Sequence, residues 1–246
     1  MSTDLYPEAK TPIRDDILQH HARALQHIAA PGAWFSGTER VAIAAETRLA
    51  LECPFCQTRK DALSPNAVSG DHTHGGVLSE TLVEVIHRIT TDPARLSRSW
   101  YEGILAAGLA DAAYVEAVSV VIHTISLDTF ARGIGLAPRP LPKATDGAPS
   151  GYRPASARHT GAYVPVIPPG DEFGDEADIY DGMIGANVQQ ALTLVPDEQR
   201  SWFKLVSAQY LASAQMRDFD QEPRAITHAQ MEFLAGRISA LNQCLY

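Results

Sequence analysis

The chain is short of positive charge, of cysteine and of long apolar runs. Lys and Arg number 20 against 29 Asp and Glu in 246 residues, a net charge of -9. Nucleic acid and anionic membrane surfaces are bound through basic faces, so neither is expected among the partners. No apolar stretch approaches the roughly 20 residues that a membrane span requires. The opening MSTDLYPEAKTPIRDD is too polar and acidic for a secretory leader. A cytoplasmic location is therefore expected. Three cysteines are too few for the disulfide framework of a small secreted domain. In a reducing compartment, a C-x-x-C pair points instead to redox chemistry or to a metal.

Alternation of apolar and polar residues is also missing, and with it any convincing strand; the one β-prone piece, Tyr163 to Ile167, lies in a proline-rich stretch. Apolar residues instead recur three and four apart over Ser36 to Asp61, Ser79 to Ile89 and Ala112 to Ile134, with a shorter helix expected over Asp92 to Gly108. Further helices are expected over Glu176 to Leu194, Pro196 to Arg217 and from Thr227 onward. The fold class read from this pattern is all-α. Three segments are expected: a helical domain over 1–140, a Pro/Gly-rich linker or arm over 141–174, and a second helical unit over 175–246.

Ser36-Gly37-Thr38-Glu39 fits a capping box, in which serine and glutamate exchange hydrogen bonds with each other's amides. Aligning Cys53 on Cys244 exposes an internal repeat that sets Ser36–Phe55 against Thr227–Tyr246, so that Ser36 meets Thr227 and Glu39 meets Gln230.

The chemistry is concentrated in ECPFCQ, where Cys53 and Cys56 stand two residues apart. The preceding TERVAIAAETRLALE has the composition of a helix, which leaves no room for the strand that a thioredoxin-type dithiol follows. Pro54 removes an amide donor, so the helix is expected to kink or break at Cys53–Pro54. Glu46 precedes Cys53 by two helical turns, shares its face on a straight helix and is a candidate base. The loop DHTHGG brings His72 and His74 after the dithiol, with glycines that would let it fold back. His87 and His123 lie on apolar helices and read as satisfied core residues, His20 and His21 as surface, Glu39 as the cap and Glu52 as exposed. Trp34, Phe35, Trp100, Tyr101 and Phe130 read either as core or as the lining of an apolar pocket near the dithiol.

The order of capping box, apolar helix, C-x-x-C and the later helix DAAYVEAVSVVIHTISLDTFARGIGLAPRP resembles the alkylhydroperoxidase D and carboxymuconolactone decarboxylase family, its peroxidase-related branch above all. MEFLAGRISALNQCLY and ALTLVPDEQRSWFKLV resemble the same family's active-site helix and the helices before it. The resemblance covers about Arg23 to Pro140 and Val164 to Tyr246. It implies a homo-oligomeric helical bundle, built here from two partial repeats, that reduces a peroxide or acts on another apolar small molecule through a Cys53/Cys56 thiol–disulfide cycle. Cys56 would attack, Cys53 would resolve, and a protein or small-thiol reductant would restore the dithiol. The family's glutamate position falls on Val41 in the first copy and on Glu232 in the second, and its histidine position falls on Lys60. A relay would therefore be rebuilt from Glu46 and one of His72, His74 or His123.

Two other readings stand beside this one. Cys53, Cys56, His72 and His74 form C-x2-C-x15-H-x-H, four ligands that suffice for tetrahedral zinc. Alternatively, the chain is a non-peroxidase relative that serves as an oligomeric binding scaffold.

Overall fold

The computed structural model describes residues 5–242 and Cys244. Its α-helices in chain order are α1 (Asp15–Ala29), α2 (Gly37–Ala50), α3 (Pro54–Asp61), α4 (Glu80–Thr91), α5 (Arg98–Ala106), α6 (Asp111–Gly133), α7 (Asn187–Gln190), α8 (Pro196–Gln209) and α9 (His228–Leu241). Among the described residues no strand forms, and Arg158 and Val166 make an isolated antiparallel bridge. The all-α reading holds. No single helix among them is long and apolar enough to cross a membrane.

The long segment Ser36–Asp61 divides where Pro54 predicts. α2 ends at Ala50, Cys53 is extended at φ -71° and ψ 117°, and Pro54 opens α3 as its first residue. The capping box forms: the Ser36 hydroxyl accepts from the Glu39 amide at 3.3 Å, and the Glu39 carboxylate accepts from the Ser36 amide at 2.8 Å. Ser36→Ala should therefore cost about 1 kcal/mol, seen as a lower urea midpoint with an unchanged m value.

The helix expected over Glu176–Leu194 is largely replaced by turns and the short α7, because Gly182 and Gly185 take φ values of 69° and 70° that end a right-handed helix. α8 stops at Gln209, well before Arg217, as Leu211 turns into the interior.

α6 is the axis. It packs against α1, α2, α4 and α8, while α2 also lies on α4, and α1 on α8. One core joins Ile43, Ile86, Val120 and Val121 to Leu194 and Leu205, so residues from both sides of the proline-rich arm share it. The arm lies along the bundle: the amides of Thr145, Ser150 and Gly151 donate to the carbonyls of Ala29, Gly32 and Ala33.

The bundle interior also holds charge. Arg40 donates to Glu116 at 2.5 Å and to Glu198 at 2.6 Å, and all three side chains are at most 1% exposed. His27 binds Glu198 at 2.8 Å, and the Trp34 amide donates to Glu116 at 2.7 Å.

His21, expected at the surface, is fully buried. Tyr6 lies 2.7 Å from its Nδ1, and the Gln209 amide donates to its Nε2 at 2.8 Å. His123 faces the Ser119 carbonyl at 2.8 Å and the Ser201 hydroxyl at 3.1 Å. Burial pushes both imidazoles down to about 4. The unfolded chain takes up these protons near 6.5 and the folded one does not, so stability is present above 6.5 and lost as pH falls toward 4. The loss should be about 3 kcal/mol for each histidine, checked by urea melts across that window.

The repeat survives as geometry. Thr227 and Gln230 form a second capping box at the start of α9. The positions buried on α2 at Arg40, Ile43, Thr47 and Ala50 correspond on α9 to Met231, Leu234, Ile238 and Leu241, of which the last three are exposed. Gln243, Leu245 and Tyr246, which close the second copy, lie outside the described residues.

Candidate metal centre

Four segments meet at the C-x-x-C. The α2–α3 break places Cys53 as the N-terminal cap of α3 and Cys56 as its third residue, and both side chains are buried, at 1% and 2% exposure. α2 contributes Glu46 from one side. α4 contributes Glu84 and His87, which share a face at a spacing of three. His72 comes from the loop between α3 and α4, which crosses the dithiol as a strap. The strap lies so close to Phe55 that a Cβ at Gly70 would sit 2.6 Å from the ring.

Cys56 Sγ lies 3.2 Å from Nδ1 of His87 and 3.5 Å from Nδ1 of His72, while Cys53 Sγ lies 3.7 Å from Nδ1 of His72. The two sulfurs and two nitrogens all fall within 4.8 Å of one another. Each imidazole is oriented from behind by a carboxylate. His87 Nε2 meets Glu46 at 2.8 Å, and His72 Nε2 meets Glu84 at 2.8 Å.

The carboxylates are held in turn. Glu46 accepts from the Gly75 amide at 2.9 Å, which ties the strap to α2. Glu84 accepts from Trp100 Nε1 at 2.9 Å and from Arg59 at 2.9 Å. With Nε2–H donating to a carboxylate, each ring turns the Nδ1 edge toward sulfur.

Protonation follows from these contacts. Burial favours neutral Glu84, but hydrogen bonds from His72, Trp100 and Arg59 outweigh it and hold the carboxyl down at about 2. Burial opposes a charge on His72, yet its bonds to Cys56, Glu84 and Cys53 raise it to about 10. Burial alone would raise the Cys53 thiol; the Cys56 amide, His72 and the Thr73 amide together lower it to about 7. His87 is pushed down, chiefly by burial, despite its bond to Glu46. Without a metal, the centre thus sets a partly ionised Cys53 thiol beside an imidazolium at His72, with a neutral His87 against Cys56.

Of the residues singled out from the sequence, the structure brings together Cys53, Cys56, Glu46 and His72. His74 is not with them: it is exposed, and its ring accepts from the Gly76 amide at 3.1 Å. The fourth ligand of the zinc alternative is therefore His87, not His74, because the glycines after His74 turn that side chain outward while α4 aims His87 inward. His123 is held in the α6–α8 interior by Ser119 and Ser201. Glu232 binds Tyr210 and His228 near the start of α9. Phe130 packs on Tyr6 and His21, whereas Trp100 reaches the centre through Glu84.

The sequence reading missed His87 and Glu84. Their signal was the E-x-x-H spacing on an amphipathic helix, a pair that projects side by side and that helical bundles use around metals.

Comparison of the chain with models of known protein families, with curated proteins and with solved structures finds no match.

Proposed function

We propose that the chain is a zinc protein whose ion is held by Cys53, Cys56, His72 and His87. One observation carries this reading: two sulfurs and two imidazole nitrogens converge on one point while the far nitrogen of each ring rests on a carboxylate. Zinc bonds of about 2.3 Å to sulfur and about 2.0 Å to nitrogen set tetrahedral S···N edges near 3.6 Å. The separations of 3.2, 3.5 and 3.7 Å bracket that edge. Histidine ligands regularly give their second nitrogen to a carboxylate, which fixes the tautomer and strengthens the donor. Glu46 and Glu84 take that part for His87 and His72. Four protein ligands with buried sulfurs make a closed centre, of the kind that stabilises a fold rather than one that opens a position to substrate.

When bound, the ion would supply charge that keeps both thiols deprotonated. The chain's own contribution is the orientation of the rings and the exclusion of water by Phe55 and the strap.

A second reading keeps the dithiol as the working group, a thiol oxidoreductase resembling alkylhydroperoxidases. It is favoured by the Cys53 thiol, whose fall to about 7 gives it a substantial thiolate fraction at neutral pH. Its relays would be Glu46–His87 to Cys56 and Glu84–His72 to both sulfurs.

The test is elemental analysis of the full chain after loading with zinc under reducing conditions, with cobalt(II) as a spectroscopic stand-in. The expected result is one ion per chain and a tetrahedral thiolate–cobalt spectrum, unaffected by His74→Ala. A reduced chain that takes up neither metal would remove the zinc reading and leave the dithiol.

A further inference from the structure

The two sulfur ligands belong to one element, and the two imidazoles do not. Cys53 caps α3 and Cys56 is its third residue, with their sulfurs within 4.8 Å of each other, so a bond between them would link residues of one helical turn rather than two elements. That bond would remove half of the donor set in one step, since the thiolate is the metal ligand and a disulfide is not.

The imidazoles left behind are unequal. His87 is fixed inside α4. His72 sits on the strap, between the exposed residues Asp71 and Thr73. The strap is tied at the site by His72 to Glu84 and the sulfurs, by the Thr73 amide to Cys53 and by the Gly75 amide to Glu46, and Gly70 lies close against Phe55. Cys53 and Cys56, at 1% and 2% exposure, are closed to bulky oxidants, so only a small one suits the site.

Resting on the zinc reading, we propose that the centre is a metal-release switch operated by hydrogen peroxide. The Cys53 thiolate attacks one peroxide oxygen, the O–O bond breaks, and the departing hydroxide takes a proton and leaves as water. Cys53 is then a sulfenic acid. The Cys56 thiolate attacks the Cys53 sulfur, the S–S bond forms, and the second hydroxide leaves as water with another proton. Two thiolates have given two electrons to one peroxide. The zinc ion, left with two imidazoles, passes to solvent, and the strap loses the ligand bond from His72 while its bonds to Glu84 and Glu46 remain.

The experiment uses the zinc-loaded full chain, one equivalent of hydrogen peroxide and a chromogenic chelator too weak to strip the untreated protein. Alkylation and intact mass run in parallel. The expected result is one zinc released per chain as two alkylation sites disappear, with a disulfide mapped to Cys53 and Cys56 and with Cys244 still reactive. A dithiol reductant plus zinc should reverse it. Cys244→Ser should release zinc like the parent chain, which excludes an intermolecular route. Zinc that stays bound while peroxide is consumed, or that leaves with every thiol still alkylating, overturns the switch and spares the metal centre. A reduced chain that never loads zinc overturns both.

Discussion

His87→Ala should abolish stoichiometric zinc binding, whereas His74→Ala should leave it intact. The substitution removes a nitrogen ligand and also takes one hydrogen-bond partner from Glu46, which at 3% exposure keeps the Gly75 amide. Leaving a buried acceptor short of a hydrogen bond typically costs about 1–3 kcal/mol. Loss of the ion and loss of stability should therefore appear together in metal content and urea melts. His87→Cys separates the two effects, because a thiolate can still close a Cys3His site. Glu46→Gln keeps all four ligands and weakens only the support, so zinc affinity should fall by about 10- to 100-fold. Equal zinc content in His87→Ala and the parent chain would show that the convergence of ligand atoms is fortuitous.

Arg40→Ala should give the largest loss of stability away from the centre. The guanidinium is fully buried and faces two carboxylates, Glu116 and Glu198, that are themselves buried. Burial favours neutral Glu198, but Arg40 and His27 outweigh it and hold the carboxyl well below its ordinary range, while burial pushes Glu116 up. Without Arg40, at least one buried charge loses its partner, and a loss of about 3–5 kcal/mol is expected, a large share of the 5–15 kcal/mol typical of a folded domain. The urea midpoint reads this directly. Arg40→Met combined with Glu116→Gln should recover part of the loss, because Glu198 retains His27.

These two sites show what the sequence could and could not disclose. The all-α class was legible because apolar spacing and capping residues act locally: Ser36 and Thr227 open helices where the pattern puts them, and Pro54 divides α2 from α3 where its missing amide requires. Glu46 and His72 were legible as candidates because chemistry-bearing residues cluster within a few turns of the cysteines. His87 was not, since an imidazole on an apolar helix reads the same whether it faces a serine, as His123 does, or a thiol. Only the packing of α4 on α2 and α3 separates the two cases. The segment 176–194 failed for a local reason, the two glycines that take left-handed conformations. The charged interior failed for the opposite one, because Arg40, Glu116 and Glu198 are 76 and 158 residues apart along the chain and no window contains them.

The spacing of the four ligands also gives the ion a topological part. Fifteen residues separate Cys56 from His72 and fourteen separate His72 from His87, so one ion closes two successive loops of the chain. In the unfolded polymer each closure removes configurations, and a cross-link spanning about 15 residues is worth about 3 kcal/mol on the chain-entropy scale used for disulfides. An unfolded chain would have to lose that freedom twice over to hold the ion, so the ion would bind the folded chain, where α3, the strap and α4 already bring its ligands together. Much of its binding free energy would be folding free energy.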